Sequence, residues 1–525
     1  MKHLHGITVL VLGLGESGLA MARWAARYGA TVRVWDSREA PPNMGALAEH
    51  VLAATLLRGT LGTEAFDGVR LVLKSPGLSP HDPHIAAPLD AAAETGVLVQ
   101  GELELFAQAL ADLKAVQGYA PKLIAITGTN GKTTTTAMTA LIVEQCGKRV
   151  AMAGNIGPTM LQTLSDALDA QAVAQAAAAE EETAETLPEV WVLELSSFQL
   201  DGAKGFEPDA ATVLNITQDH LDWHGAMPAY VAAKARIFGK NAVMVINRDD
   251  PQVEKLVPAP IPVKGRNARP IEREVLRFGL DGPRRPGDFG LLVENDMGWL
   301  VRALEADETI KQARAKPGEE VEVEIHIQRL MPADALRVRG RHNAANALAA
   351  LALASAIGCP LAPLLHGLRS YAGEPHRVEF IATLGGVDAF DDSKGTNVGA
   401  TVAALHGLGA DKAPAKLVVI LGGDGKGQDF TPLAEGVRRY ARAVATIGRD
   451  ANSIELALAH AGVTLQRHDT LEAATRWCFE QAQAGDAVLL SPACASLDMF
   501  RNYAHRAEVF VAEVRALAAD HGEVL

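Results

Sequence analysis

Short apolar runs alternate with helix-like stretches through the first hundred residues. Four β-rich runs predict buried strands, at residues 7–12, 31–35, 71–73 and 97–99. A helix-like stretch, residues 19–28, separates the first two runs. Because alternating strands and helices are typical of an α/β domain with a parallel sheet, we predict such a domain over residues 1–101.

The same alternation continues along the rest of the chain. Strand-like runs recur at residues 123–127, 190–195, 211–215, 387–390, 417–421, 443–447 and 487–490. Helices are predicted at 133–145 and, rich in Ala, at 341–357, before Gly373-Glu374-Pro375 interrupts the pattern. We therefore predict a central α/β domain over residues 102–373 and a third over residues 374–525.

Two stretches of the central region are biased in composition. Residues 166–189 are rich in Ala, Glu and Gln and prone to form a helix. Residues 258–320 are rich in Pro, Arg and Gly around one possible hairpin at 290–304, and we expect them to be peripheral. We predict that both are surface elaborations without a part in the chemistry.

Length, charge and cysteine content narrow the class of protein. The 525 residues exceed what one hydrophobic core supports, which agrees with several domains. The formal net charge is -14, and an acidic surface disfavours nucleic acid as a partner. The four cysteines show no metal-ligand spacing, and no apolar run reaches the roughly 18 residues of a membrane span. We expect a cytoplasmic protein that is not embedded in a membrane.

The strongest chemical signal is a glycine loop between an apolar strand and a helix, Gly128-Thr129-Asn130-Gly131-Lys132-Thr133-Thr134. Backbone N–H groups and a helix N-terminus at such a loop surround phosphate oxygens. Lys132 would neutralise the β- and γ-phosphates of ATP, and Thr133 or Thr134 would reach Mg2+. The loop departs from the general pattern, because Ile126 stands where the first glycine is expected.

A second glycine-rich turn lies near the N-terminus. Gly13-x-Gly15-x-x-Gly18 follows a strand and opens a helix, and Asp36 ends the next strand. Such a turn offers N–H groups for a pyrophosphate and a carboxylate for a hydroxyl. It suits a nicotinamide cofactor or a UDP-sugar, and it also occurs as a plain tight turn in α/β domains.

Carboxylates and hydroxyls follow other predicted strands. Glu194 ends a strand beside the phosphate loop, where it is well placed for Mg2+, and Asp219, His220 and Asp222 follow another. Loops with Asp, Lys and hydroxyl groups follow strands of the third domain at residues 391–397, 422–427 and 491–496. Because the carboxyl ends of strands meet at one sheet edge, these groups would suit an anion with more than one carboxylate.

Together these residues resemble the Mur ligase family over nearly the whole chain. The motifs stand in the order of the family: GTNGKTT at 128–134, GNIG at 154–157, ELSSFQL at 194–200, NITQDHLDWH at 215–224, AAKARIF at 232–238, GRHNAAN at 340–346, EPHR at 374–377, DDSKGTN at 391–397, GGDGKGQDF at 422–430 and SPACASLDMF at 491–500.

The resemblance implies a fold and a reaction. The fold is α/β with three domains: an N-terminal Rossmann-like domain for the UDP end of the substrate, a central P-loop ATPase-like domain and a C-terminal Rossmann-like domain for the amino acid. ATP would phosphorylate the carboxylate of UDP-N-acetylmuramoyl-L-alanine. The amine of D-glutamate would then attack the acyl phosphate through a tetrahedral intermediate. We expect a monomer that needs ATP and Mg2+, the latter at two sites.

The resemblance also assigns residues of the central cleft. Catalytic roles would fall to Lys132, Glu194, His220, Lys234 and Lys394. The metal ions would lie near Thr133, Glu194, His220 and Lys234, the last of which resembles the family's carbamylated lysine. ATP would contact Gly128, Thr129, Asn130, Gly131, Lys132, Thr133, Thr134, Asn343, Asn346, Arg377 and Asp392.

Two further sites are implied for the other substrates. The UDP-substrate would contact Gly15, Glu16, Ser17, Asp36, Ser37, Arg38, Gly77, Asn155 and His220. D-glutamate would contact Lys394, Thr396, Lys426, Ser496 and Tyr503. Tyr503 stands where the family commonly has Phe. Glu16 is an unexpected acid near a pyrophosphate, so we expect backbone contact there.

Other interpretations stay open at this point. A sister ligase for L-alanine, L-lysine or diaminopimelate, or a folate polyglutamate synthase, would share the phosphate loop. The SPACASLDMF motif and the missing DNPR-type motif favour D-glutamate. A nicotinamide dehydrogenase leaves Lys132, Glu194 and Lys426 unexplained. A sensor of nucleotides or UDP-sugars without catalysis would not need the intact set of Lys132, Glu194, His220 and Lys234.

Overall fold

A computed structural model describes residues 2–177, 185–263, 270–295, 297–306, 324–338 and 340–520. These residues form three α/β units in succession, each built on a sheet that is parallel or largely parallel. The predicted α/β fold class with three such units is confirmed. No helix among the described residues is both long enough and apolar enough to cross a membrane.

The N-terminal unit is a five-stranded parallel sheet in the order β3-β2-β1-β4-β5. The strands are β1 (Thr8–Leu12), β2 (Thr31–Trp35), β3 (Thr55–Leu57), β4 (Val69–Lys74) and β5 (Leu98–Gln100). The helices are α1 (Glu16–Arg27), α2 (Met44–His50) and α3 (Ala86–Glu94). Gly18 lets α1 pack against the turn after β1, because a Cβ there would lie 1.8 Å from the carbonyl oxygen of Gly13.

The central unit is a six-stranded parallel sheet in the order β11-β10-β9-β6-β8-β7. Its strands are β6 (Lys122–Thr127), β7 (Val150–Gly154), β8 (Val190–Glu194), β9 (Ala210–Val213), β10 (Val243–Asn247) and β11 (Val275–Phe278). Strand β8 is buried at every position, as expected of a parallel strand between two neighbours.

Nine α-helices, three of them only four residues long, surround this sheet within the described residues. They are α4 (Glu102–Gln117), α5 (Lys132–Glu144), α6 (Met160–Ala177), α7 (Ser197–Leu200), α8 (Leu221–His224), α9 (Met227–Ala235), α10 (Pro251–Glu254), α11 (Arg341–Ala356) and α12 (Leu361–Ser370). Helix α11 is rich in Ala and Leu on all faces, because it packs against α5, β9, β10 and β11.

The interpretation of residues 258–320 as peripheral was wrong. The predicted hairpin is present, as β12 (Phe289–Glu294) and β13 (Met297–Glu305), and β14 (Ile325–Pro332) extends it to a three-stranded antiparallel sheet. However, β11 in the same stretch completes the central sheet, and Phe278 and Phe289 are each 1% exposed in the core. Residues 264–269 and 307–323 lie outside the described residues.

Residues 166–189 are only partly a separate surface element. Up to Ala177 they continue α6, whose first turns bury Met160, Leu161 and Leu164. Asp169 lies 2.7 Å from Arg27, so the helix is tied to α1. Residues 178–184 of this prediction lie outside the described residues.

The C-terminal unit is a six-stranded sheet in the order β15-β16-β20-β17-β18-β19. Its strands are β15 (Glu379–Leu384), β16 (Val387–Asp391), β17 (Leu417–Gly422), β18 (Ala441–Ile447), β19 (Thr464–Arg467) and β20 (Ala487–Leu490). Its helices are α13 (Val398–Lys412), α14 (Leu433–Tyr440), α15 (Ala451–Leu458), α16 (Leu471–Gln481) and α17 (Tyr503–Asp520). Only β15 among these strands runs antiparallel to its neighbour.

Candidate active site

The phosphate loop joins the end of β6 to the start of α5. Gly131 takes a φ of 80°, and a Cβ there would lie 2.7 Å from Oδ1 of Asn346. The side chain of Asn215 accepts a hydrogen bond from the Asn130 N–H at 2.8 Å and donates to the Asn130 carbonyl at 3.0 Å. The loop is therefore fixed by protein contacts, which use the N–H groups of Thr129 and Asn130. A phosphate would meet the N–H groups beyond Asn130, at the start of α5.

Ile126 explains why the first glycine of the general pattern is absent. It is 0% exposed in β6 and is paired in register with Glu194 of β8 and Thr212 of β9. The strand continues through Thr127, so the turn begins only at Gly128. A glycine at position 126 would weaken a central strand.

Glu194 provides a buried carboxylate at the end of β8. Its side chain is 1% exposed, and Oε2 accepts a hydrogen bond from Thr133 Oγ1 at 2.8 Å. Oε1 accepts a hydrogen bond from Asn155 Nδ2 at 2.7 Å. A carboxylate beside a threonine hydroxyl is an oxygen donor set of the kind that Mg2+ prefers, so these residues fit that ion.

Two lysines donate hydrogen bonds to carbonyls of the loop. Lys132 Nζ lies 2.9 Å from the carbonyl oxygens of Gly128 and Thr129, and Lys234 Nζ lies 2.8 Å from that of Gly128. Burial lowers the pKa of both lysines, and at Lys234 burial, followed by repulsion from Lys132, brings the pKa well below its ordinary value. A fully enclosed lysine beside another cation readily becomes neutral.

His220 starts the short helix α8 with a left-handed φ of 52°. Its Nε2 lies 3.5 Å from Asp219 Oδ2, and its ring meets Phe198 edge to face with centroids 4.7 Å apart. Burial lowers the pKa of His220, and the nearby Lys426 and Lys132 lower it further. The neutral imidazole is the form that binds a metal or accepts a proton.

Arg377 and two asparagines of α11 lie beside the loop. Arg377 Nη2 donates to Thr133 Oγ1 at 2.6 Å, and within the described part of the chain its buried Nε meets no acceptor. That N–H is available to a ligand oxygen. Asn346 Nδ2 donates to Asn343 Oδ1 at 3.2 Å on the first turns of α11.

The loop after β16 brings the C-terminal unit against the phosphate loop. Asp392 is 7% exposed, and burial raises its pKa to about 7 although Ser491 Oγ donates to it at 2.6 Å. Burial, followed by the charge of Arg377, lowers the pKa of Lys394. Asn397 Nδ2 donates to Asn130 Oδ1 at 3.0 Å, so the two loops are in direct contact.

One cleft of about 230 Å³ collects most of the residues predicted for ATP and catalysis. They are Thr129, Asn130, Gly131, Lys132, Thr133, Thr134, Asn155, Glu194, His220, Asn343, Asn346, Arg377, Asp392, Lys394 and Thr396. Gly128, the first residue of the loop, and Lys234 do not line the cleft, and a hydrogen bond of 2.8 Å joins them. The cleft therefore holds a phosphate loop, buried carboxylates and several cations together.

Three residues predicted for the amino acid do not line this cleft. Lys426 is exposed with a φ of 50°, yet it is near enough to lower the pKa of His220. The Tyr503 ring centre lies 5.4 Å from Lys394 Nζ, and Ser496 is 4% exposed in the loop after β20. Their contact with D-glutamate stays a prediction.

The N-terminal unit has a cavity of its own, of about 390 Å³, which Asp36, Ser37 and Arg38 line. Asp36 Oδ2 accepts the Leu14 N–H at 2.6 Å and Arg38 Nη2 at 2.8 Å. Against the effect of burial, these hydrogen bonds lower the pKa of Asp36 to about 2. The Asp36 carboxylate thus stabilises the turn after β1, and its contact with a ligand hydroxyl stays a prediction.

The remaining residues predicted for the UDP-substrate lie on both sides of the boundary between the first two units. Gly15, Glu16 and Ser17 stand at the start of α1, and Gly77 follows β4. Asn155 belongs instead to the central cleft. A Cβ on Gly157 would lie 3.9 Å from Glu16 Oε2, so the loop after β7 faces the glycine-rich turn. This distribution suits a long substrate that spans both units.

Three family models match the chain in succession. The Mur ligase MurD-like N-terminal domain matches residues 7–101, the Mur ligase middle domain matches 126–266, and the Mur ligase glutamate ligase domain matches 376–494. The chain belongs to the Mur ligase family.

Curated Mur ligases are similar over almost the full length. The UDP-N-acetylmuramoylalanine--D-glutamate ligase of Albidiferax ferrireducens is 58% identical over 524 residues, which cover 99% of this chain and 98% of that protein. The protein of the same name from Burkholderia pseudomallei is 58% identical over 522 residues, with 98% of both chains covered.

Solved structures of Mur ligases share the fold at low identity. The UDP-N-acetylmuramate-alanine ligase MurC of Thermotoga maritima aligns with a TM-score of 0.55 at 19% identity, covering 97% of this chain and 99% of that chain. The MurF ligase of Thermotoga maritima, solved in complex with ADP, aligns with a TM-score of 0.54 at 17% identity, covering 98% and 96%.

Several residues that shape this Mur ligase cleft were not predicted from the sequence. Asn215 and Asn397 hold the phosphate loop, and both stand in motifs singled out above. Their role depends on hydrogen bonds to a loop distant in sequence, which no local pattern reveals. His342 also lines the cleft, and burial lowers its pKa to about 4. Its place inside the GRHNAAN motif was the available signal.

Proposed function

We propose that this Mur ligase joins D-glutamate to UDP-N-acetylmuramoyl-L-alanine, with ATP as the energy source, in the synthesis of peptidoglycan precursors. The observation that carries the proposal is 58% identity over 99% of the chain to a curated relative named for this reaction. The cleft supports it, because it combines a phosphate loop with buried acids and cations.

The first step is attack of the substrate carboxylate on the γ-phosphorus of ATP, which forms an acyl phosphate and releases ADP. Both reactants are anions, so the site must screen their charges. The N–H groups of the phosphate loop and the start of α5 hold the phosphates. Lys132 and the free Nε of Arg377 place positive charge next to them.

Thr133 and Glu194 would hold an Mg2+ ion, and His220, which lines the same cleft, would contribute to a second site. Bound there, Mg2+ would neutralise charge on the phosphate and carboxylate oxygens. Asn155 and Thr133 hold the two oxygens of Glu194 in place through hydrogen bonds of 2.7 and 2.8 Å.

Lys234 is the candidate for carbamylation. Its neutral amine would add CO2 and become a carboxylate-like group behind the loop. The support is its enclosure, at 1% exposure, and the strongly lowered pKa that burial causes. Incubation with 13C-labelled bicarbonate should give a carbamate carbon signal in the wild type. The signal should be missing in Lys234→Arg, and its absence from the wild type would refute carbamylation.

The second step is attack of the D-glutamate amine on the acyl phosphate, followed by loss of phosphate from a tetrahedral intermediate. Lys394 and Thr396 stand in the cleft where they would bind the amino acid, and the ring centre of Tyr503 lies 5.4 Å from Lys394 Nζ. Lys426 and Ser496 would complete the pocket. The UDP end would lie in the cavity beside Asp36, Ser37 and Arg38. Because one chain supplies all of these groups, we propose that it works as a monomer.

The test is phosphate release from ATP with UDP-N-acetylmuramoyl-L-alanine and one amino acid at a time. D-glutamate should stimulate release, whereas L-glutamate, L-alanine, L-lysine and diaminopimelate should not. Stimulation by another amino acid instead of D-glutamate would refute the substrate assignment and leave the ligase class intact.

A further inference from the structure

Arg377 is presented to the cleft by a stretch of backbone in an unfavourable conformation. His376 and Val378, its two chain neighbours, take φ angles of 64° and 48°. The left-handed region is disfavoured for residues with a Cβ, and most of all for a β-branched residue such as Val378. Such backbone persists only where surrounding contacts determine it, and it is concentrated at functional sites.

The contacts of His376 hold this stretch of backbone in place. Its N–H donates to Glu379 Oε2 at 2.8 Å, and its carbonyl accepts the Lys394 N–H at 3.2 Å. Its ring Nδ1 lies 2.7 Å from Asp391 Oδ2. Backbone and side chain of His376 are thus both attached to the C-terminal unit.

Asp391 is a rigid partner for this contact. It is the last residue of β16, paired in register with Leu490 of β20, and is 0% exposed. Its other oxygen accepts hydrogen bonds from the N–H and hydroxyl of Ser393, at 2.9 and 2.5 Å. The carboxylate therefore has little freedom to move away from His376.

The contacts of His376 and Asp391 fix the backbone position of Arg377, which lies between the two residues with left-handed φ angles. Its Nη2 reaches Thr133 Oγ1 at 2.6 Å on the phosphate loop, a residue 244 positions away in the sequence. A long guanidinium side chain has many rotamers, and fixing its backbone reduces the entropy lost when it is placed against a phosphate. Asp392 and Lys394 lie within three residues of Asp391 and line the same cleft.

We propose that His376 and Asp391 form a clamp that positions Arg377 for the transferred phosphate of ATP. The proposal rests on the proposed function, because it takes ATP as the ligand of the cleft. His376 and Asp391 are positioning residues, since they act through Arg377 and do not touch the phosphate themselves.

A double-mutant cycle tests the clamp. Affinity for a non-hydrolysable ATP analogue with Mg2+ is measured by calorimetry for the wild type, His376→Ala, Arg377→Ala and the double variant. His376→Ala should weaken binding about tenfold in the wild type and less than about twofold in the Arg377→Ala background, because contacts that act as a unit are not additive. Affinity for the UDP-substrate should stay unchanged throughout.

Two further variants distinguish loss of the clamp from a general loss of stability in the C-terminal unit. His376→Asn should recover part of the affinity, because Asn tolerates the left-handed region and keeps a side-chain donor for Asp391. His468→Ala removes a half-buried histidine that packs on Trp477 in the same unit, and it should bind the analogue like the wild type. If His376→Ala is too unstable, Asp391→Asn replaces it in the cycle.

The outcomes separate the two proposals. The clamp would be overturned if His376→Ala weakened nucleotide binding equally in the wild-type and Arg377→Ala backgrounds. It would also be overturned if His376→Asn bound the nucleotide no better than His376→Ala. Nucleotide binding by the wild type would leave the proposed function standing in either case. A wild type that binds no nucleotide would overturn the proposed function, and the clamp with it.

Discussion

Lys132 is the cation that the phosphate loop itself supplies, and its ammonium already lies 2.9 Å from two loop carbonyls. Lys132→Ala should lower kcat by about 100-fold or more, because the charge of the transferred phosphate is then left unscreened. Affinity for the UDP-substrate, measured by calorimetry, should change little, since the cavity proposed for its UDP end is in the N-terminal unit.

Lys148→Ala is the matched control for that variant. Lys148 is a half-exposed lysine paired with Glu189 at 2.9 Å, outside the cleft. It should keep the kcat of the wild type. If Lys132→Ala kept a near-normal kcat, the proposal that the loop stabilises the transferred phosphate would be wrong.

Asp392 links the cleft to stability through its protonation. Burial raises the pKa of Asp392 to about 7 from 3.8. At a pH between these two values the Asp392 carboxyl is protonated in the folded protein and ionised in the unfolded chain. Stability therefore falls as the pH rises through this window and stays lower above it. Asp392→Asn removes this penalty and should stabilise the protein by about 4 kcal/mol above pH 7 but little near pH 4.

Thermal unfolding of the ligand-free proteins at pH 4, 6 and 8 measures this difference. The gap in melting temperature between Asp392→Asn and the wild type should widen with pH while ligase activity falls in the variant. A gap that is the same at all three values would show that the carboxyl of Asp392 ionises normally.

Single residues in local motifs were predictable from the sequence, whereas their partners were not. Glu194 could be placed at a strand end because an apolar run leads into it. The hydrogen bonds from Leu14 and Arg38 to the Asp36 carboxylate could not be predicted, since the glycine-rich motif indicates a carboxylate but not its partners. The clamp residues His376 and Asp391 depend in the same way on tertiary contact.

At the scale of elements, buried parallel strands were predicted best. Strands such as β8 and β17 are buried at every position and apolar almost throughout, because both faces are covered. The edge strands β3 and β19 escaped prediction, since they are short and have no fully buried position, with polar residues among their positions. Strand β11 was missed because it lies in a region whose overall composition is that of a loop.

Helix α6 sets a limit to how much of the Ala-rich stretch can be removed. Residues 160–169 pack on the core and on Arg27, so they must stay. Deletion of residues 173–183 should leave kcat and KM for all three substrates within about twofold of the wild type, since residues 173 and 175–177 are exposed at the end of α6 and do not line the cleft. A large loss of kcat with an unchanged melting temperature would show that the stretch takes part in catalysis.

At the scale of the whole molecule, the three units are joined in different ways. One continuous apolar cluster includes Val11 of the N-terminal sheet and both Phe106 and Trp191 of the central unit. The C-terminal sheet has apolar clusters of its own on its two faces. Polar contacts, Asn397 to Asn130 and Arg377 to Thr133, join it to the phosphate loop.

Polar interfaces between domains permit relative motion more readily than a shared core does. We expect the C-terminal unit to move against the other two, and ligands that bridge the cleft to favour the closed arrangement. Small-angle scattering should show a smaller radius of gyration with Mg2+, a non-hydrolysable ATP analogue and the UDP-substrate than without ligands. Asn397→Ala should weaken that compaction, and equal radii in the wild type would contradict it.

The central claim is that the cleft transfers phosphate from ATP to a substrate carboxylate before the amide forms. It is tested most directly with UDP-N-acetylmuramoyl-L-alanine labelled with 18O in its carboxylate, in the presence of ATP and D-glutamate. The account predicts one 18O atom in each phosphate released, detected by mass spectrometry. Phosphate without the label, formed at the same rate as the amide, would contradict it.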